Sequence, residues 1–116
     1  MKLSDIDKNW LAGILEGEGS FLIHTTYSRA RNMGMRGGIS HHVYPRVYLG
    51  MTDYDIVFHA AELCKSKIQG PYQYGKKKPI WIMGLTGKKA SCVMRQVLPL
   101  MGERRGHKIA SILGLE

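Results

Sequence analysis

The chain has 116 residues, of which 44% are hydrophobic and 22% charged, with a formal net charge of +8. That length supports one compact domain, 1–116, and excludes two independent cores, while the apolar content excludes a disordered chain. No apolar run approaches the roughly 18 residues of a membrane span and the N-terminus lacks the apolar core of a secretion signal, so an intracellular protein with no membrane partner is expected.

Ser4 to Asp7 reads as a helix start, because Ser and Asp side chains cap free amides and complement the helix dipole. The helix runs over about 5–18, with Trp10, Leu11, Ile14 and Leu15 as one apolar stripe. Gly13 and Gly17 share a helix face, where each glycine costs up to about 1 kcal/mol. Close approach of another backbone is the usual reason for such a pair. Phe21 to Ser28 is rich in aromatic and β-branched residues and predicts a strand. Residues 29–42 lack periodicity and predict a long loop or hairpin tip. Val43 to Thr52 predicts the next strand. Val43, Val47, Leu49 and Met51 face a core, Tyr44, Arg46 and Tyr48 face the other way, and Pro45 places the early part at an edge. Thr52 or Asp53 caps a second helix to about Lys65. Residues 69–74 and 79–86 predict a hairpin across Gly75–Lys78. Gly87 opens a third helix, Pro99 ends it, and 102–113 predicts the last.

The order is α-β-β-α-β-β-α-α. Paired strands separated by helices imply an α+β fold, an antiparallel sheet with helices on one face. The other face is polar, aromatic and basic, and a two-stranded ribbon of that kind fits a DNA major groove.

The charge is uneven. From Lys76 onward nine basic residues face only Glu103 and Glu116, and Arg29, Arg31, Arg36 and Arg46 have no acid between them. Clustered positive charge suggests a polyanion, most often nucleic acid; the plain alternative is a basic surface kept for solubility. Other motifs carry less. "GLTGKKAS" (84–91) is not a phosphate-binding Walker loop, because its glycine spacing is too short and Lys89 stands where Ser or Thr is needed. His41 and His42 point to opposite faces if they lie on a strand, which suits solvated histidines better than a metal. Lys76, Lys77 and Lys78 read either as a turn that touches phosphates or as an ordinary charged tip. Cys64 and Cys92 form no metal or disulfide pattern and read as free thiols.

The segment "LAGILEGEG" (11–19) puts two acids, Glu16 and Glu18, at a helix C-terminus, where the dipole disfavours negative charge. It resembles the motif of the LAGLIDADG homing endonucleases, matching at Leu11, Ala12, Gly13 and Gly19, with Glu16 and Glu18 for the two acids. The element order over nearly the whole chain is also similar to that family's repeat. The resemblance implies site-specific double-strand cleavage of a long palindromic or near-palindromic DNA site. One motif copy implies a homodimer, with motif helices packed at the two-fold axis through Trp10, Ala12, Gly13, Glu16 and Gly17.

It further implies that Glu18, with Gly17 beside it, binds a divalent cation. Mg²⁺ is expected, with Mn²⁺ able to substitute and Ca²⁺ binding without supporting cleavage. Asp53 corresponds to the residue that orients the attacking water. Arg104 corresponds to the family's lysine near the scissile phosphate, with Arg105 as a competing candidate. The family's usual residues are Asp at 18 and Lys at 104, so both positions depart from it. DNA contacts are expected from His24, Thr26, Arg29, Arg31, Arg36, Tyr44, Arg46, Tyr48, Gln73, Tyr74, Lys76, Lys77, Lys78 and Arg105. The alternatives are a non-cleaving DNA regulator or intron-RNA-binding maturase of the same fold, and a structural protein whose charge is incidental.

Overall fold

The structure is a computed structural model that describes residues 1–29 and 39–115, with side-chain detail for 1–25 and 42–115. Helix α1 (Asp5–Glu18) starts where Ser4 Oγ accepts from the Asp7 amide at 3.1 Å, with Asp5 and Asp7 in its positive first turn. It passes directly into β1 (Gly19–Arg29), followed by β2 (Ile39–Met51), α2 (Tyr54–Cys64), β3 (Ile68–Tyr72) and β4 (Ile80–Thr86). Then come α3 (Gly87–Val97), a short 3₁₀ turn at Leu98–Leu100 that carries Pro99, and α4 (Glu103–Leu113).

The four strands form one antiparallel sheet in the order β1-β2-β4-β3. The helices cover one face: α3 lies under β2 and β4, α2 under β4 and β2, and α4 beside β1. Leu11 and Leu15 of α1, Val47 and Leu49 of β2, Met83 of β4, Val57 and Cys64 of α2, Val93, Met94 and Val97 of α3, and Ile109 of α4 are fully buried between these layers. The α+β order and the one-sided sheet therefore match the expectation from sequence.

Two expectations need correction. The loop predicted over 29–42 is shorter, because β1 and β2 stay paired out to Arg29 opposite Ile39. Residues 39–45, seven in all, pair with β1 alone, since β4 begins its pairing at Arg46. At about 3.3 Å per residue this ribbon outreaches the rest of the sheet by about 23 Å. Among its described residues His42, Val43 and Tyr44 are all exposed, so burial sets no alternating pattern there. Val43 has the core-facing parity predicted for it yet is 59% exposed, whereas Val47 is fully buried. Pro45 sits at the last position before β4 joins, where β2 has a neighbour on one side only, as its missing N–H requires. The second correction is at β3, which ends at Tyr72. Gln73 and Tyr74 lie beyond it, and Gln73 Nε2 donates to the Lys77 carbonyl at 3.1 Å across the turn.

Both cysteines are free. Burial pushes the Cys64 thiol from 9.0 up to about 11, while the Lys89 charge pulls weakly the other way. The folded chain therefore holds this proton through a pH range in which the unfolded chain loses it. Stability tied to Cys64 is complete below pH 9 and is lost as pH rises towards 11. Cys64 should resist iodoacetamide at pH 8 until the chain is unfolded, as mass spectrometry would show. Between pH 8.5 and 10.5 Cys64→Ala should lose less stability than the native sequence in urea melts.

Candidate metal centre and nucleic-acid interface

The site begins where α1 ends. Leu11, Ala12 and Leu15 are buried and fix one side of α1 against the chain's own core. The opposite stripe is Ile6, Trp10, Gly13 and Gly17, at spacings of three, four and seven residues. Ile6 is 82% exposed, and a Cβ placed on Gly13 or Gly17 meets none of the described residues within 4 Å. The chain's own packing therefore gives no reason for either glycine. Trp10 is half-buried and packs edge-on against the His59 ring, 4.4 Å between centroids. Ala12, expected at a subunit interface, is 4% exposed and belongs to the core, because its side chain points to the Leu11 and Leu15 side of the helix.

Glu18, the last residue of α1, is exposed and lines a hollow of about 330 Å³ with Gly50, Met51, Thr52, Asp53 and Ile80. Asp53 stands at the N-cap of α2 but its carboxylate makes no capping bond. Neither Glu18 nor Asp53 makes a side-chain hydrogen bond or ion pair among the described residues. Two unpartnered carboxylates thus share one open hollow at the end of the sheet. A hard divalent cation accepts a few carboxylate oxygens and completes its shell with water and phosphate oxygens, so these donors fit one. Among the described residues, no group of three or more His, Cys, Asp or Glu converges anywhere.

Arg104 is not in that hollow. It lines a second one, about 580 Å³, with Gly19, Ser20, Phe21, Arg105, His107 and Lys108. Glu18 lines the first hollow and Gly19, the next residue, the second. Arg105, offered as a rival to Arg104 and as a DNA contact, is committed to the fold: Nε meets Glu16 Oε2 at 2.9 Å and a terminal nitrogen donates to the Gly19 carbonyl. Glu16 also accepts from the Gly102 amide at the start of α4. Lys108, one turn beyond Arg104 on the same helix face, is a residue the sequence reading missed; its i, i+4 spacing was the available signal.

The exposed sheet face carries most of the expected base contacts. Cross-strand register puts His24, Tyr44, Arg46 and Tyr48 on one face with Ser20, Leu22, Gly84 and Thr86. The Arg46 guanidinium carbon lies 5.6 Å from the Tyr48 ring centroid. Lys76, Lys77 and Lys78 are exposed in the β3–β4 turn. That turn starts from Tyr72 opposite Ile80, which lines the Glu18 hollow, so the lysines project from the same end of the sheet as the carboxylates. The backbones of Thr26 and Arg29 lie in β1; their side chains, and Arg31 and Arg36 entirely, fall outside the described residues.

No protein-family profile matches the sequence, and no curated protein sequence matches it either. Solved structures do. The group I intron-encoded homing endonuclease I-CeuI, complexed with DNA, superposes with a TM-score of 0.66 at 17% identity over 98% of this chain and 55% of that one. The LAGLIDADG homing endonuclease I-LtrWI, bound to target DNA, gives 0.63 at 17% identity over 97% of this chain and 36% of that one. This chain has the LAGLIDADG homing-endonuclease fold. I-CvuI, in complex with its target in the presence of calcium, gives 0.64 at 12% identity over 94% of this chain and 64% of that one. The chain thus spans little more than half of I-CeuI and less than two thirds of I-CvuI. Among the described residues of this homing-endonuclease fold, no helix is long and apolar enough to cross a membrane.

Proposed function

We propose that this chain is a divalent-metal-dependent, site-specific DNA endonuclease of the LAGLIDADG homing type that acts inside the cell as a homodimer. The observation that carries the reading is the shared hollow of Glu18 and Asp53, open at the end of a sheet whose exposed face is polar, aromatic and basic. The fold of DNA-bound homing endonucleases supports it.

In this reading Glu18 and the Gly17 carbonyl would hold Mg²⁺, which would supply positive charge against the negative charge that builds on the phosphate and the leaving 3′ oxygen. Asp53 accepts a hydrogen bond from a water and aims its oxygen at phosphorus. The new P–O bond forms as the P–O3′ bond breaks; the attacking water gives up one proton, through Asp53, to solvent, and the 3′ oxygen leaves with a proton from solvent. Arg104, Lys108 and the lysine turn bind flanking phosphates, which fixes the DNA without reading its sequence. Mn²⁺ would serve in place of Mg²⁺, and Ca²⁺ would hold the complex without cleavage.

The stripe of Ile6, Gly13 and Gly17 is where a second copy packs. Two-fold packing there is isologous, brings a second Glu18 to the first, and matches a palindromic or near-palindromic site. Like carboxylates then repel until a cation lies between them. Gly13→Leu should raise the dimer dissociation constant about 5- to 150-fold, since overpacking a close contact costs about 1–3 kcal/mol. Light scattering across a dilution series reads this directly; a variant that stays dimeric at every concentration removes the interface from α1.

The function itself is tested with a pool of randomised DNA duplexes in Mg²⁺ and in Ca²⁺. Cleaved ends that appear only in Mg²⁺ support the nuclease. Sequence-specific binding without cutting, or preference for structured intron RNA, would move the chain to the regulator or maturase reading.

A further inference from the structure

Two glycines in the middle of the sheet have no role in the helix-covered core. Gly50 on β2 and Gly84 on β4 both lie on the exposed face, in register with that face's side chains. A glycine inside a strand forgoes side-chain packing and often marks a close approach. Here each glycine is a floor. A Cβ at Gly50 would sit 3.4 Å from a ring carbon of Tyr48, and one at Gly84 would sit 3.8 Å from a terminal nitrogen of Arg46. Tyr48 therefore lies down over Gly50, and Arg46 lies down towards Gly84 with its guanidinium 5.6 Å from the Tyr48 centroid. Arg46 is held against the sheet face by Tyr48 and Gly84. Its Nε is buried and has no partner among the described residues, and its terminal nitrogens make no hydrogen bond or ion pair there.

We infer that Arg46 is a specificity-determining residue that reads one guanine through its major-groove edge, with Tyr48 and Gly84 as the positioning residues that hold its guanidinium in place. Guanine presents two acceptors, N7 and O6, on that edge, and the guanidinium fork matches them in a plane. A fork already oriented by a ring and a glycine floor loses little freedom on binding, so it discriminates more than a free arginine does. The row of Leu22, Arg46 and Thr86 lies four residues along β2 from Gly50, about 13 Å at 3.3 Å per residue. The guanine therefore lies outboard of the bond held near Glu18. This inference rests on the DNA-binding reading above.

The test is a binding selection from a randomised DNA duplex library at fixed salt, with the intact protein and its variants checked for folding by thermal melts. The native sequence should select a motif with a guanine that Arg46→Ala releases. Replacing that guanine should cost the native protein about 5- to 150-fold in affinity, the value of one good bidentate pair, and cost Arg46→Ala almost nothing. Substituting 7-deazaguanine, which lacks the N7 acceptor, should weaken binding by the native protein and leave Arg46→Ala unmoved. Gly84→Val keeps Arg46 but fills its floor, and should blunt the same preference; Gly84→Ala should retain it. If Arg46→Ala binds every sequence more weakly with an unchanged profile, Arg46 is a phosphate contact and the inference falls while the DNA-binding reading stands. If the native protein selects no motif, both fall.

Discussion

Glu18→Gln is expected to reduce DNA cleavage in Mg²⁺ about 10²- to 10⁴-fold while leaving the fold intact. The side chain is exposed and makes no hydrogen bond or ion pair with the described residues, so its loss leaves no unsatisfied group behind among them. Gln has the same length and one oxygen in the same place, but it lacks the charge that draws a hard cation. A cation at a phosphate contributes several kcal/mol of charge stabilisation, and each 1.36 kcal/mol is a factor of ten in rate. Binding of the same duplex in Ca²⁺ should change far less, because the phosphate contacts and the sheet face are untouched. Initial rates on a selected duplex, with melts in parallel, separate the two effects. Full cleavage by Glu18→Gln would remove Glu18 from the site. Glu18→Asp is the informative companion: the shorter acid keeps the charge and returns the family's usual residue, so activity should persist.

The second large effect is on stability. Glu16→Ala is expected to lower the unfolding free energy by about 2–3 kcal/mol in urea melts. One carboxylate ties the end of α1 to the start of α4: Oε1 takes the Gly102 amide and Oε2 takes Arg105 Nε, while Arg105 also holds the Gly19 carbonyl. Both side chains are partly exposed, at 39% for Glu16 and 20% for Arg105, which keeps the expected loss below that of a fully buried pair. Arg105→Lys should recover only part of the loss in Arg105→Ala, since an ammonium cannot span both acceptors in the same plane. A double-mutant cycle of Glu16→Ala and Arg105→Ala should give a coupling of at least about 1 kcal/mol. Additive losses would mean that the two residues act separately.

The Glu16 contacts also show what the sequence could and could not disclose. Local patterns were sufficient for α1, whose cap, apolar stripe and end are set within a few residues of one another. They were sufficient for the order of elements and for the parity of Tyr44, Arg46 and Tyr48, which alternation fixes once the strand is placed. They put Glu16 at the helix end, but could not say what it meets there, because Gly102 and Arg105 lie 86 or more residues away and meet it only through packing. The end of β3 was misplaced for a related reason: Gln73 and Tyr74 continue a strand-like composition, but the turn closed by Gln73 and Lys77 takes them out of the sheet. Arg104, expected at the family's lysine position near the scissile phosphate, lines the hollow next to that of Glu18. The commitment of Arg105 to Glu16 and Gly19 sets the rotation of α4, and that rotation puts Arg104 in the neighbouring hollow.

The overhanging β1–β2 ribbon has a consequence for how such a molecule can change. The backbone of residues 39–45 pairs with one neighbouring strand only, and His42, Val43 and Tyr44 are exposed, so the free energy of folding is nearly indifferent to those three side chains. Substitutions in this arm can accumulate without weakening the scaffold, whereas changes at Leu11, Val47 or Met83 cannot. On the proposed DNA-binding function, a new DNA preference arises by drift in this arm, with the helices, the sheet and the Glu18 hollow inherited unaltered.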